Sequence, residues 1–78
     1  MSDVALELKN AILKAIPDAN VMVTPGSAGH FSLEVTSKAF EGKNMLASQR
    51  LVYSAIKELM AGDRAPVHAI DSLKTHTP

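Results

Sequence analysis

The fold follows from one short stretch, HFSLEVT at residues 30–36, in which apolar and polar residues alternate. The apolar residues that share one face are Phe31, Leu33 and Val35. Strict alternation over this length predicts a half-buried β-strand. Residues 21–24 predict a second short strand, and the turn-forming residues of Pro25–Gly29 lie between the two. We therefore expect an antiparallel hairpin with a long loop.

Apolar residues at helical spacing mark a helix on each side of this hairpin. Residues 3–16 predict the first helix, which Ser2 or Asp3 can cap and Pro17 ends. Residues 45–61 predict the second helix, with Gly62 as its C-terminal cap. The residues expected on the buried side of the second helix are Met45, Val52, Ile56, Leu59 and Met60.

Residues 67–74 predict a third strand after a loop at 63–66, and residues 75–78 predict a frayed tail. The strand–helix–strand unit that this strand completes has the size of a parallel crossover. We therefore expect an α+β fold, a three-stranded mixed sheet with residues 30–36 at its centre and helices on one face. The 78 residues are expected to form a single domain, 1–78.

The composition of the chain argues against several classes of function. Eight basic and eight acidic residues give a formal net charge of zero, whereas a dedicated nucleic-acid-binding protein usually carries a basic excess. The chain has no cysteine, which excludes disulfides and any thiolate metal site of its own. No apolar run approaches the ~20 residues of a membrane helix, and the start lacks signal-peptide features. We expect a cytoplasmic protein in a reducing compartment, without membrane contact.

Basic residues near the second helix are the candidates for weak nucleic-acid binding. They are Lys38, Lys43, Arg50 and Lys57. Glu41 and Glu58 interrupt them, which favours a solvated helix face over a phosphate track. The loop Gly26-Ser27-Ala28-Gly29 matches the G-x-x-G motif of KH domains, but it joins two strands, whereas the KH loop joins two helices.

Sequence motifs of catalysis are absent. No Ser-His-Asp group or recognisable carboxylate pair occurs, and Tyr53 is expected to pack within the second helix. A domain of this size is almost too small to enclose a substrate pocket. We therefore expect neither enzymatic activity nor a small-molecule substrate.

Two histidines begin neighbouring strands. His30 is the first residue of the second predicted strand and His68 lies near the start of the third, and the starts of adjacent parallel strands lie at one edge of a sheet. Two imidazoles are a partial metal site, because zinc sites use three or four protein ligands, so a partner would have to supply the rest. The alternative is that each histidine is an ordinary surface residue or hydrogen-bond donor. His76 is expected to be solvated and not a third ligand.

Several short motifs resemble, in order and spacing, those of the BolA family. The motifs are His30-Phe31, Phe40-Glu41-Gly42-Lys43, Arg50-Leu51-Val52-Tyr53, Val67-His68-Ala69-Ile70 and Thr77-Pro78. Gln49 stands where the helix motif often has histidine, as in YrbA-like bacterial members. The last strand is one residue longer than is usual in the family, so we expect a β-bulge at Asp71-Ser72.

The resemblance implies a helix–strand–strand–helix–helix–strand order similar to the type II KH domain, with an extra short helix near Lys38–Gly42. It also implies a role in iron–sulfur cluster assembly or trafficking, or in iron homeostasis, with a monothiol glutaredoxin as partner. The shared [2Fe–2S] cluster would be held by a glutaredoxin cysteine, glutathione and histidine of the BolA protein, and the chain alone would bind no cofactor. His68 matches the C-terminal ligand histidine of the family, and His30 matches the variable second position.

Two alternatives stay open. One is a DNA-binding transcriptional regulator of stress response and cell morphology, to which the family is also linked. The other is a stress-response adaptor whose histidines bind nothing.

Overall fold

A computed structural model describes residues 3–62 and 65–78. The elements in chain order are helix α1 (Val4–Ala15), strand β1 (Asn20–Pro25), strand β2 (His30–Thr36), a short 3₁₀ helix (Lys38–Phe40), helix α2 (Met45–Met60) and strand β3 (Ala69–His76). The predicted α+β fold class is confirmed, and the 3₁₀ helix lies where the resemblance implied an extra helix.

The three strands form one sheet in the order β1-β2-β3. β2 pairs antiparallel with β1 and parallel with β3, so the predicted central strand and crossover are confirmed. Phe31, Leu33 and Val35 are buried on the inner face of β2. Leu8 and Ile12 of α1 belong to the same core, together with Val52 and Ile56 of α2. Both helices pack on this one face, α1 against β1 and α2 against β3.

Side-chain caps define the helix starts. The Asp3 carboxylate accepts hydrogen bonds from the backbone N–H groups of Ala5 and Leu6 at the start of α1, and Asn44 accepts from Ala47 at the start of α2. After α2, Gly62 has a φ of +87°, as expected of a helix-terminating glycine. The predicted cap Ser2 and residues 63–64 of the predicted loop 63–66 lie outside the described residues.

Strand β3 begins and ends two residues later than predicted. Val67 is buried and donates its backbone N–H to the carbonyl of Leu59, at 3.2 Å, so it belongs to the connection after α2. At the other end, Thr75 and His76 continue the parallel ladder with β2. The expectation of fraying at these two residues is wrong, because their backbone groups have partners in the sheet; the Ser37 N–H donates to the His76 carbonyl at 3.0 Å.

The β2–β3 ladder contains the expected bulge. Phe31 pairs with Ile70, whereas Ser32 pairs with Ser72, so Asp71 is the additional residue. A bulge of this kind leaves one residue without a ladder partner and redirects its side chain.

Two residues of α2 differ from expectation in their burial. Met45 was predicted on the buried side but is 72% exposed, because it opens the helix and the buried stripe starts one turn later, at Ser48. Tyr53 was expected to pack and is 39% exposed. No helix within residues 3–62 and 65–78 combines the length and apolar character needed to span a membrane.

Candidate metal-binding edge of the sheet

His68 lies directly before β3 and is held by the backbone of Gly29. Its N–H donates to the Gly29 carbonyl at 2.8 Å, and the Ala69 N–H donates to the same oxygen at 3.1 Å. The imidazole ring lies against Gly29, since a Cβ on that glycine would be only 2.0 Å from His68 Cδ2. Gly29 also has a φ of +76°, so both the backbone and the available space require glycine here. His68 is nevertheless exposed to solvent.

His30 is the first residue of β2 and follows Gly29 in the chain. Its side chain is 39% exposed, and its Nδ1 lies 2.9 Å from Oδ1 of Asp71, the bulge residue of β3. Because His68 contacts Gly29, the structure brings His68 and His30 to the same edge of the sheet. Both imidazoles are at least partly open to an approaching molecule.

This edge offers an incomplete donor set for a metal. Among residues 3–62 and 65–78, no three histidine, aspartate or glutamate side chains are grouped closely enough to hold a metal ion. The sequence contains no cysteine that could supply a thiolate. Neutral imidazole nevertheless binds iron, and in Rieske centres two histidines replace two cysteines on one iron of a [2Fe–2S] cluster. The two histidines therefore fit a cluster whose other ligands come from elsewhere.

His76 lies at the opposite end of the sheet. It is the last residue of β3, which puts it roughly 25 Å from His68 at about 3.3 Å per residue. Its Nε2 lies 2.8 Å from Oε2 of Glu34. A third ligand for the His68 edge cannot come from this position.

The four basic residues suggested for DNA binding lie in different surroundings. Lys43 and Arg50 line one shallow depression at the start of α2. Lys57 lines a groove between α1 and α2 together with Lys14 and the acidic residue Glu58. Lys38 begins the 3₁₀ helix. Of the four basic residues, Lys43 and Arg50 are therefore neighbours, whereas Lys57 and Lys38 lie in other surroundings.

A hydrogen-bonded carboxylate fixes the chain at the end of β2 farthest from His30. The Ser37 hydroxyl donates to Asp18 Oδ1 at 2.6 Å, and the Lys38 N–H donates to Asp18 Oδ2 at 3.0 Å. These two hydrogen bonds, the hydroxyl first, hold the pKa of Asp18 below its ordinary value. This network supports the start of the 3₁₀ helix and does not touch the histidine edge.

Sequence reasoning found both histidines but missed the residues that hold them. The sequence places Gly29 in the hairpin loop and its G-x-x-G motif, and Asp71 in a bulge, without indicating that either residue contacts a histidine. The acidic character of the inserted residue was the available signal for a partner of His30. Gln49, which departs from the common family motif, donates from Nε2 to the Leu73 carbonyl at 3.3 Å and ties α2 to β3.

Comparison with known proteins agrees with this architecture. The family model described as BolA-like protein matches residues 5–78. BolA-like protein 1 from Bos taurus is 45% identical over 56 residues, which are 72% of this chain and 38% of that protein. The Homo sapiens protein of the same name is 37% identical over 78 residues, which are 100% of this chain and 50% of that protein. The chain thus spans half or less of the length of these curated relatives.

A solved structure gives the same result in three dimensions. The structure of a BolA protein homologue from Coxiella burnetii is 33% identical to this chain and superposes with a TM-score of 0.78, covering 100% of this chain and 94% of that one. The family model also covers most of the present sequence. The chain belongs to the BolA family.

Proposed function

We propose that this protein is a partner of a monothiol glutaredoxin in iron–sulfur cluster assembly or trafficking, or in iron homeostasis. In the complex, His68 is the principal imidazole ligand of a shared [2Fe–2S] cluster and His30 is the auxiliary one. The glutaredoxin cysteine and glutathione supply the thiolates that this chain lacks. The cluster supplies transferable iron and sulfide and a visible absorption spectrum.

The observation that carries this proposal is the position of His68. Its ring is seated against Gly29, beside His30, yet the residue stays exposed. A ligand held in this way loses little conformational freedom when a partner arrives, which favours binding. The incomplete donor set supports a partner, since residues 3–62 and 65–78 hold no group of three potential ligands and the sequence contains no cysteine.

The DNA-binding alternative has less support. The net charge is zero, and only Lys43 and Arg50 among the four candidate cations share a depression. A phosphate-binding surface needs several cations facing one backbone. We therefore assign any DNA contact a weak, electrostatic character, and we propose a cytoplasmic binding protein without catalytic activity.

Visible absorption and circular dichroism of a cluster-loaded monothiol glutaredoxin test the proposal. Adding the wild-type chain should change the cluster spectrum, because an imidazole replaces a thiolate donor at iron. His68→Ala should abolish this change while leaving the fold intact, since the residue is exposed and contributes little packing. His30→Ala should weaken or alter it.

His76→Ala is the matched control, because it removes an imidazole from the far end of β3. This variant should give the wild-type spectral change. If all three alanine variants change the cluster spectrum as the wild type does, the histidines are not ligands and the proposal is wrong.

A further inference from the structure

The bulge in β3 puts a carboxylate next to the auxiliary histidine. Asp71 is the one residue between Ile70 and Ser72 without a partner on β2 in the Cα register. Its Oδ1 lies 2.9 Å from His30 Nδ1, and its Oδ2 lies beside the hairpin loop, 3.5 Å from where a Cβ on Gly26 would stand. A regular ladder would have no additional residue at this level of the sheet.

The direction of this hydrogen bond determines which ring nitrogen of neutral His30 carries the proton. An ionised carboxylate can only accept, so the bond requires the proton of neutral His30 to be on Nδ1. Nε2 then carries the free lone pair, which is the electron pair that a metal needs. Histidine ligands in metalloproteins commonly donate their second ring N–H to a carboxylate in this way.

We propose that Asp71 is a positioning residue that holds His30 in its Nδ1–H tautomer and presents Nε2 at the edge of the sheet. This tautomer is set by a contact within the chain and does not depend on a bound cluster or partner. Its value for cluster binding rests on the proposed function described above.

A second histidine–carboxylate pair, among the residues that the structure describes, serves as an internal comparison. At the far end of the sheet, His76 faces Glu34 through Nε2, at 2.8 Å. By the same rule, neutral His76 carries its proton on Nε2 and leaves Nδ1 free. The two pairs have similar exposure, but the carboxylates face different ring nitrogens, so one spectrum can report both tautomers.

Long-range ¹H–¹⁵N correlation of the histidine rings, in the free protein at about pH 8.5, tests the tautomer directly, since ordinary histidines are neutral there. We expect wild-type His30 to be protonated mainly on Nδ1 and His76 mainly on Nε2. Asp71→Ala should move His30 toward the Nε2–H form and leave His76 unchanged. Glu34→Ala, the matched control, should leave His30 unchanged. An Nε2–H tautomer of His30 in the wild type, or no response to Asp71→Ala, overturns the proposal.

A titration into cluster-loaded glutaredoxin then tests the consequence for binding. Loss of a carboxylate behind a ligand histidine lowers metal affinity roughly 10- to 100-fold, and we expect about tenfold for Asp71→Ala because both side chains are partly exposed. Unchanged affinity for Asp71→Ala, with weaker binding for His30→Ala, overturns the role toward the cluster. If the His30→Ala and His68→Ala variants both change the cluster spectrum as the wild type does, the proposed function fails, while the NMR result still decides whether Asp71 sets the tautomer.

Discussion

Replacing Gly29 with alanine should displace the His68 ring without unfolding the protein. A Cβ at this position would lie 2.0 Å from Cδ2 and 2.8 Å from Cγ of His68. Carbon atoms pack at about 3.5–4.0 Å, so the ring has to move by roughly 1.5–2 Å. Because His68 is exposed, rotation about χ1 can carry the ring outward into solvent, while His68 Cβ, 3.1 Å from the added methyl group, has to give by a few tenths of an ångström.

Gly42→Ala is the matched control for the backbone cost. Both glycines have a φ of +76°, but a Cβ on Gly42 would have no neighbour within 4 Å. An alanine in this left-handed conformation costs about 1–2 kcal/mol at either site. We therefore expect both variants to lose a similar amount of stability, agreeing within about 1 kcal/mol, and only Gly29→Ala to disturb His68.

Urea unfolding gives the two stabilities, and the His68 ring resonances give the local effect. Gly29→Ala should shift those resonances and weaken the spectral change with cluster-loaded glutaredoxin, whereas Gly42→Ala should do neither. The reasoning is refuted if Gly29→Ala leaves the His68 resonances in place, or if Gly42→Ala shifts them equally.

Three further predictions concern the rest of the molecule. Leu33→Asp should unfold the chain, since Leu33 is 3% exposed and an unpaired buried charge costs several kcal/mol. The control Ser32→Asp, on the outer face of the same strand, should keep a cooperative thermal transition and a native circular dichroism spectrum. The pKa of Asp18 is lower in the folded state than in the unfolded state. Ionised Asp18 therefore contributes fully to the stability of the fold above about pH 4, and this contribution is lost as the pH falls through the folded-state pKa. Urea titrations across this range should therefore show a shallower acid-side loss for Asp18→Asn than for the wild type, and an equal loss would contradict the hydrogen-bond assignment. The protein should bind duplex DNA weakly, and its affinity should fall as the salt concentration rises toward the physiological value. Lys43→Ala or Arg50→Ala should each lower by about 1 the slope of log affinity against log salt concentration. Tight, sequence-dependent binding at that salt concentration would favour the regulator alternative.

The central strand and the sheet order could be predicted because local and global signals agree. The alternation of Phe31, Leu33 and Val35 has the period of a strand with one buried face, and these are the buried residues of β2. The inserted residue before Leu73 breaks the period of β3, and a parallel ladder absorbs one extra residue only as a bulge.

The ends of β3 could not be predicted, because they depend on partners distant in sequence. Val67 looks like a strand residue but fills the core after α2. His76 looks like a tail residue but pairs with the end of β2. The contact between Asp71 and His30 depends on the same register, so the acidic character of the inserted residue signals a polar partner without identifying it as His30.

The most direct test of ligation by this chain uses nitrogen hyperfine couplings. The chain is labelled with ¹⁵N-histidine, mixed with unlabelled cluster-loaded glutaredoxin and glutathione, reduced, and examined by pulsed electron paramagnetic resonance. We expect ¹⁵N couplings of directly bound imidazole in the wild type and in His76→Ala. In His68→Ala, the coupling from the principal ligand should be lost. A wild-type complex whose cluster shows no coupling to ¹⁵N from this chain would contradict ligation by His68 and His30.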